Sequence, residues 1–300
     1  MKIGLNLKQG LLEAALIVAW SSSFIGAVLA TETSSFSLVL FWRFIILAVL
    51  LLPFVVSAIR RGVRRRDLLV NAGMGGLAMF ACIALHLKAI DLGVAAGTLS
   101  LVAALQPLAT AALAGPLLGD VVRRSQWLGL LVGFAGVMFA VGADPGEAPP
   151  WAYAVAIAGT MALVAATLLA KAKPTTLGIL PGLGIQSMAA AVLYAPLAAY
   201  DGTLMPVFEW DFLWALAWLI VFATFGGFGL YWLCLRSTSA TRVGTLLYMS
   251  PPVTMVWAWA MFGQPVTVTA MIGFGFCLLG LVLARERPSR PLSLKPSGEA

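Results

Sequence analysis

The chain has 300 residues, of which 61% are hydrophobic and only 10% are charged. Soluble domains average about 45–50% apolar and about 25% charged residues, so a soluble fold could not bury this much apolar surface. The composition therefore predicts a membrane protein. A net charge of +7 is also typical of nucleic-acid binding, but the positions of the basic residues argue against that class.

Continuous apolar runs predict an all-α membrane protein with ten transmembrane helices. Each run is about 17–25 residues long, which suits a hydrocarbon core about 30 Å thick crossed at about 1.5 Å per residue. A barrel would instead show short alternating segments. The helices are predicted near residues 11–30, 36–58, 68–89, 93–118, 125–142, 151–171, 178–199, 210–235, 240–262 and 267–284, and the Pro/Ser/Arg-rich tail 285–300 is predicted to be a disordered cytoplasmic segment.

Basic residues give the predicted bundle a direction. With a cytoplasmic N-terminus, 17 of the 19 Lys and Arg residues fall on cytoplasmic segments, while Lys88 falls outside and Arg43 within a helix. The cytoplasmic residues are Lys2, Lys8, Arg60, Arg61, Arg64, Arg65, Arg66, Arg123, Arg124, Lys171, Lys173, Arg236, Arg242, Arg285, Arg287, Arg290 and Lys295. We therefore expect a bacterial inner-membrane protein with both termini in the cytoplasm. The basic residues then set topology beside anionic lipid, and no nucleic-acid partner is expected.

The two halves of the sequence repeat at an offset of 144 residues in their last two predicted helices. The coinciding pairs are Pro107 with Pro251, Gly119 with Gly263, Gly129 with Gly273 and Gly136 with Gly280. Each half, 11–142 and 151–284, has an odd number of predicted helices, so the second half must enter the membrane from the opposite side. Inverted repeats are typical of transporters that use alternating access. Simple duplication in a structural or sensory membrane protein is the alternative.

Several motifs within residues 11–284 resemble those of a known family. They comprise WSSSF in the first helix, Trp42-Arg43-Phe44 in the second, the paired prolines, and the glycine loops that end in Asp120 and Gln264. The chain resembles the EamA-type domains of the drug/metabolite transporter superfamily. The resemblance implies a ten-helix exporter of metabolites, amino acids or xenobiotics, and it favours aromatic or other neutral amino acids. The change from Asp120 to Gln264 argues against a symmetric role for the family's loop carboxylate.

A substrate site is predicted where prolines interrupt two helices near the bilayer midplane. Pro107, Pro251 and Pro252 each remove a backbone donor and displace a carbonyl of the preceding turn, so they are predicted helix-break hinges. Irregular backbone at this depth is tolerated where it is buried or lines a wet cavity. Gln106 and Ser250, which precede the prolines, are therefore predicted to bind substrate. The alternative is a packing kink.

Other intramembrane side chains complete the predicted substrate site. They are Trp20, Ser21, Phe24, Met79, His86 and Tyr248. Trp20 and Phe24 share a face of the first helix, where they would stack on an apolar or aromatic solute while Ser21 orients its polar end. Alternatively, the serines join neighbouring helices, and packing explains the aromatic residues. His86 is a candidate because it is an isolated intramembrane histidine, unless it is merely hydrated near the outer end.

Two charged residues lie within predicted helices. Arg43 would cost roughly 2.5–3.5 kcal/mol if it were unpaired, so it is predicted first to be an anchor, for example with Glu32 or Asp91, and second to recognise a substrate carboxylate. Glu13 is near the cytoplasmic end of the first helix. Since a proton-coupled antiporter usually needs a midplane carboxylate, we expect a facilitator driven by the solute gradient. Proton coupling through Glu13 is the alternative.

The expected function is export of aromatic or neutral amino acids, or related small metabolites, by a monomer in the lipid bilayer. A proton-coupled exporter of drugs or other metabolites is the alternative. Cys82, Cys234 and Cys277 lie in separate apolar runs without metal-ligand spacing, so neither a disulfide framework nor a metal or other cofactor is expected. An enzyme is disfavoured because no Ser/His/Asp set is within reach, and a channel because no filter sequence is visible.

Overall fold

The computed structural model describes residues 2–31, 35–94, 99, 102–119, 121–141, 148–201, 204–205, 209–263 and 268–284. Within these residues every regular element is a helix and no strand occurs. The helices are α1 (Lys2–Thr31), α2 (Phe36–Arg60), α3 (Arg65–Asp91), α4 (Gln106–Leu118), α5 (Arg124–Val141), α6 (Pro150–Ala172), α7 (Ile179–Tyr200), α8 (Trp210–Ser237), α9 (Ala240–Leu247), α10 (Ser250–Phe262) and α11 (Val268–Leu283). The predicted all-α class is confirmed for this part of the chain. The predicted tail 285–300 lies outside the described residues.

The bundle buries polar side chains and exposes apolar ones. Helices α2, α3, α6, α7 and α8 are each long and apolar enough to cross a membrane. Val49 and Val192 are 65% and 72% exposed, whereas Thr160, Thr167 and Gln186 are buried. Lipid accepts apolar side chains but gives polar groups no hydrogen-bond partner, so this distribution is the one that a bilayer favours.

Two of the long helices contain a π-helical segment. In α3 the segment is Gly75–Ala81, and in α8 it is Leu219–Gly229. A Cβ at Gly75 would lie 2.4 Å from the carbonyl oxygen of Gln186, so a glycine is needed for α3 to approach α7 this closely. π-Helical segments are rare in proteins, and those that occur are often at functional sites. The surroundings of these two segments are therefore the first place to search for a functional site.

Backbone features of the described residues recur 144 residues apart. The π-helical segments begin at Gly75 and Leu219, and glycines with a left-handed backbone follow α4 and α10 at Gly119 and Gly263. Helices α4 and α10 begin at this spacing, and so do α5 and α11. The backbone therefore follows the same offset as the sequence, including in α3 and α8, where the sequence alone shows no repeat.

Helices α5 and α11 cross with their backbones in close contact. A Cβ at Gly129 would lie 2.6 Å from the Gly280 carbonyl oxygen, and one at Gly136 would lie 2.7 Å from that of Gly273. Small residues allow such an approach between membrane helices. Each member of one pair is offset by 144 residues from a member of the other, and reciprocal contacts of this kind are the pattern of a two-fold relation.

The helices break just before the paired prolines. Residues 104–105 form a turn before α4, and residues 248–249 form a turn between α9 and α10. Pro107, Pro251 and Pro252 therefore lie in the first turn of a helix, where the missing N–H removes no intrahelical hydrogen bond. The sequence predicted that the prolines interrupt helices 93–118 and 240–262, and the described helices restart at these positions. The first helix differs from its prediction, because it begins at Lys2 and not near residue 11.

One end of the bundle is held together by basic side chains. Arg242 binds Glu13, Arg236 donates to the Leu177 carbonyl at 2.6 Å, and Lys171 donates to the Thr238 carbonyl. We call this end, which also carries Arg60 and Arg64 in the α2–α3 connection, the basic end. At the opposite end Ser37 donates to Asp201, and Trp42 donates to the Leu204 carbonyl at 2.8 Å.

Candidate functional site

Four helices bring aromatic and polar side chains together in the core of the bundle. The fully buried Tyr231 of α8 donates its hydroxyl to Thr167 Oγ1 of α6 at 2.6 Å, since Thr167 itself donates to a backbone carbonyl. Gln106 Nε2 of α4 donates to the Tyr231 oxygen at 3.2 Å. Trp20 of α1 packs on the same tyrosine, with ring centroids 5.3 Å apart. We call Trp20, Gln106, Thr167 and Tyr231 the central cluster.

Gln106 is the polar group of the central cluster with hydrogen-bonding capacity to spare. Gln106 is the first residue of α4, and Pro107 follows it. Pro107 packs closely on Gly244 of α9, since a Cβ added to Gly244 would lie 3.2 Å from Pro107. The bond to Tyr231 is the only one that the Gln106 side chain makes with the described residues. One N–H and a carbonyl oxygen thus remain for a ligand next to Tyr231, whose ring packs on Trp20. This arrangement suits a small solute with both polar and apolar parts.

The two predicted serines bind one another. Ser21 donates to the Ile17 carbonyl at 2.6 Å and lies 3.1 Å from the Ser250 carbonyl oxygen. Thr254 of α10 donates to the Ser21 carbonyl at 3.2 Å. Both serines are buried, and their contacts join α1 to α10. This geometry matches the alternative in which serines connect helices, while a direct role in binding substrate stays a prediction.

Met79 and His86 lie on α3, and their contacts are with other groups than the central cluster. Met79 is fully buried, and its carbonyl accepts a hydrogen bond from Tyr194 at 3.2 Å. His86 Nε2 lies 3.1 Å from Thr160 Oγ1 of α6, and His86 Nδ1 is near the Cys82 sulfur. His86 therefore connects α3 to α6. The predicted role of either residue in binding substrate stays a prediction.

Tyr248 lies in the turn between α9 and α10 and is buried. Its ring packs on α5, where a Cβ at Gly133 would come within 2.6 Å of it. Its hydroxyl has no hydrogen-bond partner among the described residues. The side chain of Phe24 and the loop residues Asp120 and Gln264 lie outside the part of the chain that the structure describes.

Glu13 is engaged in a two-point ion pair. Arg242 Nε and Nη2 lie 2.8 and 2.9 Å from its two carboxylate oxygens, and Gln9 Nε2 donates to it at 3.0 Å. Paired N–H···O bonds between arginine and a carboxylate are among the stronger polar contacts in proteins. Glu13 therefore ties α1 to α9 at the basic end.

Arg43 is buried with a hydroxyl as its hydrogen-bond partner. Its Nε and Nη2 donate to Thr224 Oγ1 of the α8 π-helical segment at 3.0 and 2.9 Å, and its guanidinium lies 4.9 Å from the centre of the Phe44 ring. The predicted pairing with Asp91 is wrong, because the hydrogen bonds of the guanidinium go to Thr224, and Asp91 instead lies 4.0 Å from Lys88. The other predicted partner, Glu32, lies outside the described residues.

A cavity of about 310 Å³ opens at the basic end. It is lined by Asn71, Met74, Ala170, Lys171, Lys173, Pro174, Thr175, Ile179, Gly182, Gln186, Trp232, Leu235 and Arg236. The ring of Trp232 lies 5.0 Å from that of Tyr231, so the wall of this cavity adjoins the central cluster. Among the described residues no group of three or more His, Cys, Asp or Glu side chains could hold a metal ion.

Five residues of the central cluster and the cavity wall were not predicted from the sequence: Thr167, Tyr231, Gln186, Asn71 and Trp232. Each is a polar or amphipathic residue within an apolar run, a type that is costly in a membrane unless it has a partner. That signal was available for Asn71 and Gln186, which could have been selected as intramembrane amides. Nothing in the spacing of the sequence pairs Tyr231 with Gln106, because the two lie in different halves of the chain.

Comparison with known proteins agrees with a transport role. Residues 9–142 and 150–285 each match the EamA-like transporter family. The "Uncharacterized inner membrane transporter YedA" of Escherichia coli (strain K12) is 23% identical over 275 residues, covering 90% of this chain and 88% of that protein. An "Uncharacterized transporter" of Archaeoglobus fulgidus is 25% identical over 202 residues, covering 65% of this chain and 70% of that protein. One solved crystal structure superposes with a TM-score of 0.74 at 19% identity over 92% of this chain and 97% of that chain, which shows a shared fold.

A helical bundle with an apolar exterior and polar side chains gathered in its core is the architecture of a membrane protein. The family match extends over both halves of the chain, so the chain belongs to the EamA-like transporter family, within the drug/metabolite transporter superfamily. It is a membrane transporter.

Proposed function

We propose that this transporter exports aromatic or neutral amino acids, or related small metabolites, by alternating access. The observation that carries the proposal is the central cluster, in which Gln106 keeps a free N–H and carbonyl oxygen while it binds the hydroxyl of Tyr231, whose ring packs on Trp20. An amino acid needs both a donor and an acceptor for its charged ends, and an aromatic or apolar side chain packs on the rings.

Alternating access is supported by the spacing of the backbone. In the proposed layout ten transmembrane helices form two inverted five-helix repeats, 11–142 and 151–284, and α9 and α10 together make one span. The 144-residue spacing of the helix starts and π-helical segments and the reciprocal glycine contacts of α5 and α11 are what an in-plane two-fold axis requires. Pro107, Pro251 and Pro252 are proposed as hinges because the helices already restart there.

Transport is proposed to be driven by the solute gradient. The protein is proposed to lie in a bacterial inner membrane with its basic end on the cytoplasmic side. Both carboxylate oxygens of Glu13 receive N–H groups of Arg242, and this two-point contact favours a structural link between α1 and α9 over a proton carrier. The second candidate function, a proton-coupled exporter of drugs or other metabolites, rests on Glu13, the carboxylate predicted within the first helix.

The test is uptake of radiolabelled amino acids by purified protein in liposomes. We expect trans-acceleration by unlabelled substrate, and we expect Gln106→Leu to raise KM about tenfold because a hydrogen bond to a charged group is lost. Tyr231→Phe should impair transport in the same direction. Tyr194→Phe is the matched control, because it removes an equally buried hydroxyl that binds the Met79 carbonyl outside the central cluster.

Two outcomes of this experiment would contradict the proposal. Absence of amino-acid flux together with transport of a cationic drug would show that amino acids are not the substrates. A dependence of flux on an imposed proton gradient that Glu13→Gln abolishes would instead establish the proton-coupled alternative.

A further inference from the structure

The basic-end cavity carries an excess of positive charge. Its lining includes Lys171, Lys173 and Arg236, and no lining residue is acidic. The carboxylate of Asp67, on the neighbouring first turn of α3, is directed to Thr176, whose backbone N–H and hydroxyl donate to it at 3.1 and 2.7 Å. The local charge therefore favours an anion in the cavity.

Buried polar side chains form the deep wall of the cavity. Trp232 Nε1 donates to Gln186 Oε1 at 2.9 Å, and Gln186 Nε2 donates to Asn71 Oδ1 at 3.2 Å. Asn71 Nδ2 in turn donates to Thr175 Oγ1 at 3.3 Å. All but Thr175 are at least nine-tenths buried, so the wall is fixed by these hydrogen bonds, and one Gln186 N–H and the Thr175 hydroxyl proton are left for a ligand.

The same wall leads towards the central cluster. The Trp232 ring lines the cavity and makes an edge contact with the Tyr231 ring at 5.0 Å. Tyr231 then contacts Trp20. A solute with a negatively charged group and an apolar body would thus find cations at the rim of the cavity and an aromatic wall at its base.

We propose that the basic-end cavity is a separate binding site that holds the carboxylate of a small organic solute before the solute reaches the central cluster. This inference rests on the proposed export of carboxylate-bearing solutes. A solute fits better than a lipid headgroup because four helices, α3, α6, α7 and α8, enclose the cavity and its base is formed by buried amides. A volume near 310 Å³ is at the lower limit for sites that enclose small molecules.

Binding of phenylalanine and phenylalaninamide to the purified protein tests the site, because the amide lacks the carboxylate. In neutral phosphatidylcholine nanodiscs the wild type should bind phenylalanine more tightly than the amide. The double variant Lys173→Gln/Arg236→Gln should weaken phenylalanine binding about tenfold and leave amide binding unchanged, since two partly exposed charge contacts are lost. Arg236→Lys, which keeps the charge, should retain most of the preference.

The matched control is Arg65→Gln/Arg66→Gln, which removes two exposed charges from the same end without touching the cavity. If both double variants weaken phenylalanine binding equally, only the general field of the basic end matters and the site is refuted. If phosphatidylglycerol suppresses phenylalanine binding to the wild type but not to the Lys173→Gln/Arg236→Gln variant, a lipid headgroup occupies the cavity, which also overturns the inference. Failure of amino-acid transport with retained carboxylate-selective binding would refute the proposed function alone.

Discussion

At the scale of single residues, Arg43 is a buried cation with a large electrostatic cost. It is 3% exposed, and its hydrogen bonds within the described residues go to one neutral oxygen, that of Thr224. A buried cation without a carboxylate is costly, and partial compensation comes from the Phe44 ring, whose negative face attracts a guanidinium. An anchor of this kind explains why Thr224 lies in the π-helical segment facing α2. Recognition of a substrate carboxylate by Arg43 is the alternative role.

We expect substitutions of Arg43 and of Thr224 to have different effects on stability. Thr224→Val should lower the free energy of unfolding by about 1–3 kcal/mol, because the guanidinium is left buried without its partner. Arg43→Met should be close to neutral, since it replaces the charge by an apolar chain of similar length, and the double variant should be no worse than Arg43→Met alone. Thermal unfolding of the purified protein in detergent measures all three.

Equal stability of Thr224→Val and the wild type would show that Arg43 does not depend on this hydroxyl. Flux separates the two roles of Arg43, because loss of amino-acid transport in a stable Arg43→Met protein would indicate recognition of the substrate carboxylate.

The sequence identifies which residues are unusual but not which of them meet. Gln106 could be predicted because an amide next to a proline is unusual within an apolar run. Trp20 could be predicted because it is an aromatic residue beside serines in the first helix. Their shared partner Tyr231 could not, because it comes from the other half of the chain and its position depends on how α4 and α8 pack. For the same reason the contact between Ser21 and Ser250 of α10 could not be read from the sequence.

At the scale of whole helices, glycines set how closely the elements approach. The predicted repeat pairs Gly129 with Gly273 and Gly136 with Gly280, and the structure shows the crossed contacts of these four residues between α5 and α11. Hydropathy predicts that such helices exist, because a bilayer requires continuous apolar runs. It does not predict the turn at residues 104–105 or the π-helical segments, because neither changes the apolar character of the run.

Adding a methyl group at the α5–α11 crossing should separate the helices. A Cβ at Gly129 would lie 2.6 Å from the backbone nitrogen of Ala284, so we expect Gly129→Ala to lower the free energy of unfolding by about 1–3 kcal/mol. Gly275→Ala on α11 is the matched control, since no atom lies within 4 Å of its Cβ position and alanine favours helix by about 1 kcal/mol. Thermal unfolding in detergent gives both values, and equal losses at the two sites would contradict close packing at the crossing.

At the scale of the whole molecule, charge separates the two ends of the bundle. The basic end carries Lys171, Arg236 and Arg242, and the opposite end carries Asp201 and Glu209 on the connection from α7 to α8. Positive residues near membrane helices are retained on the cytoplasmic side. The proposed orientation follows from this asymmetry: the basic-end cavity would face the cytoplasm, and a solute that is more concentrated there would load from that cavity and leave at the opposite end.

Cysteine labelling tests this orientation. Met205 at the opposite end is 72% exposed and Lys173 at the basic end is exposed, while the native Cys82, Cys234 and Cys277 are buried and should label little. We expect a membrane-impermeant maleimide to label Met205→Cys in intact spheroplasts and Lys173→Cys only after the membrane is opened. The reverse pattern would place the basic end outside and contradict the proposed orientation. Labelling of both variants in intact spheroplasts would mean that the chain inserts in two orientations despite its charge bias.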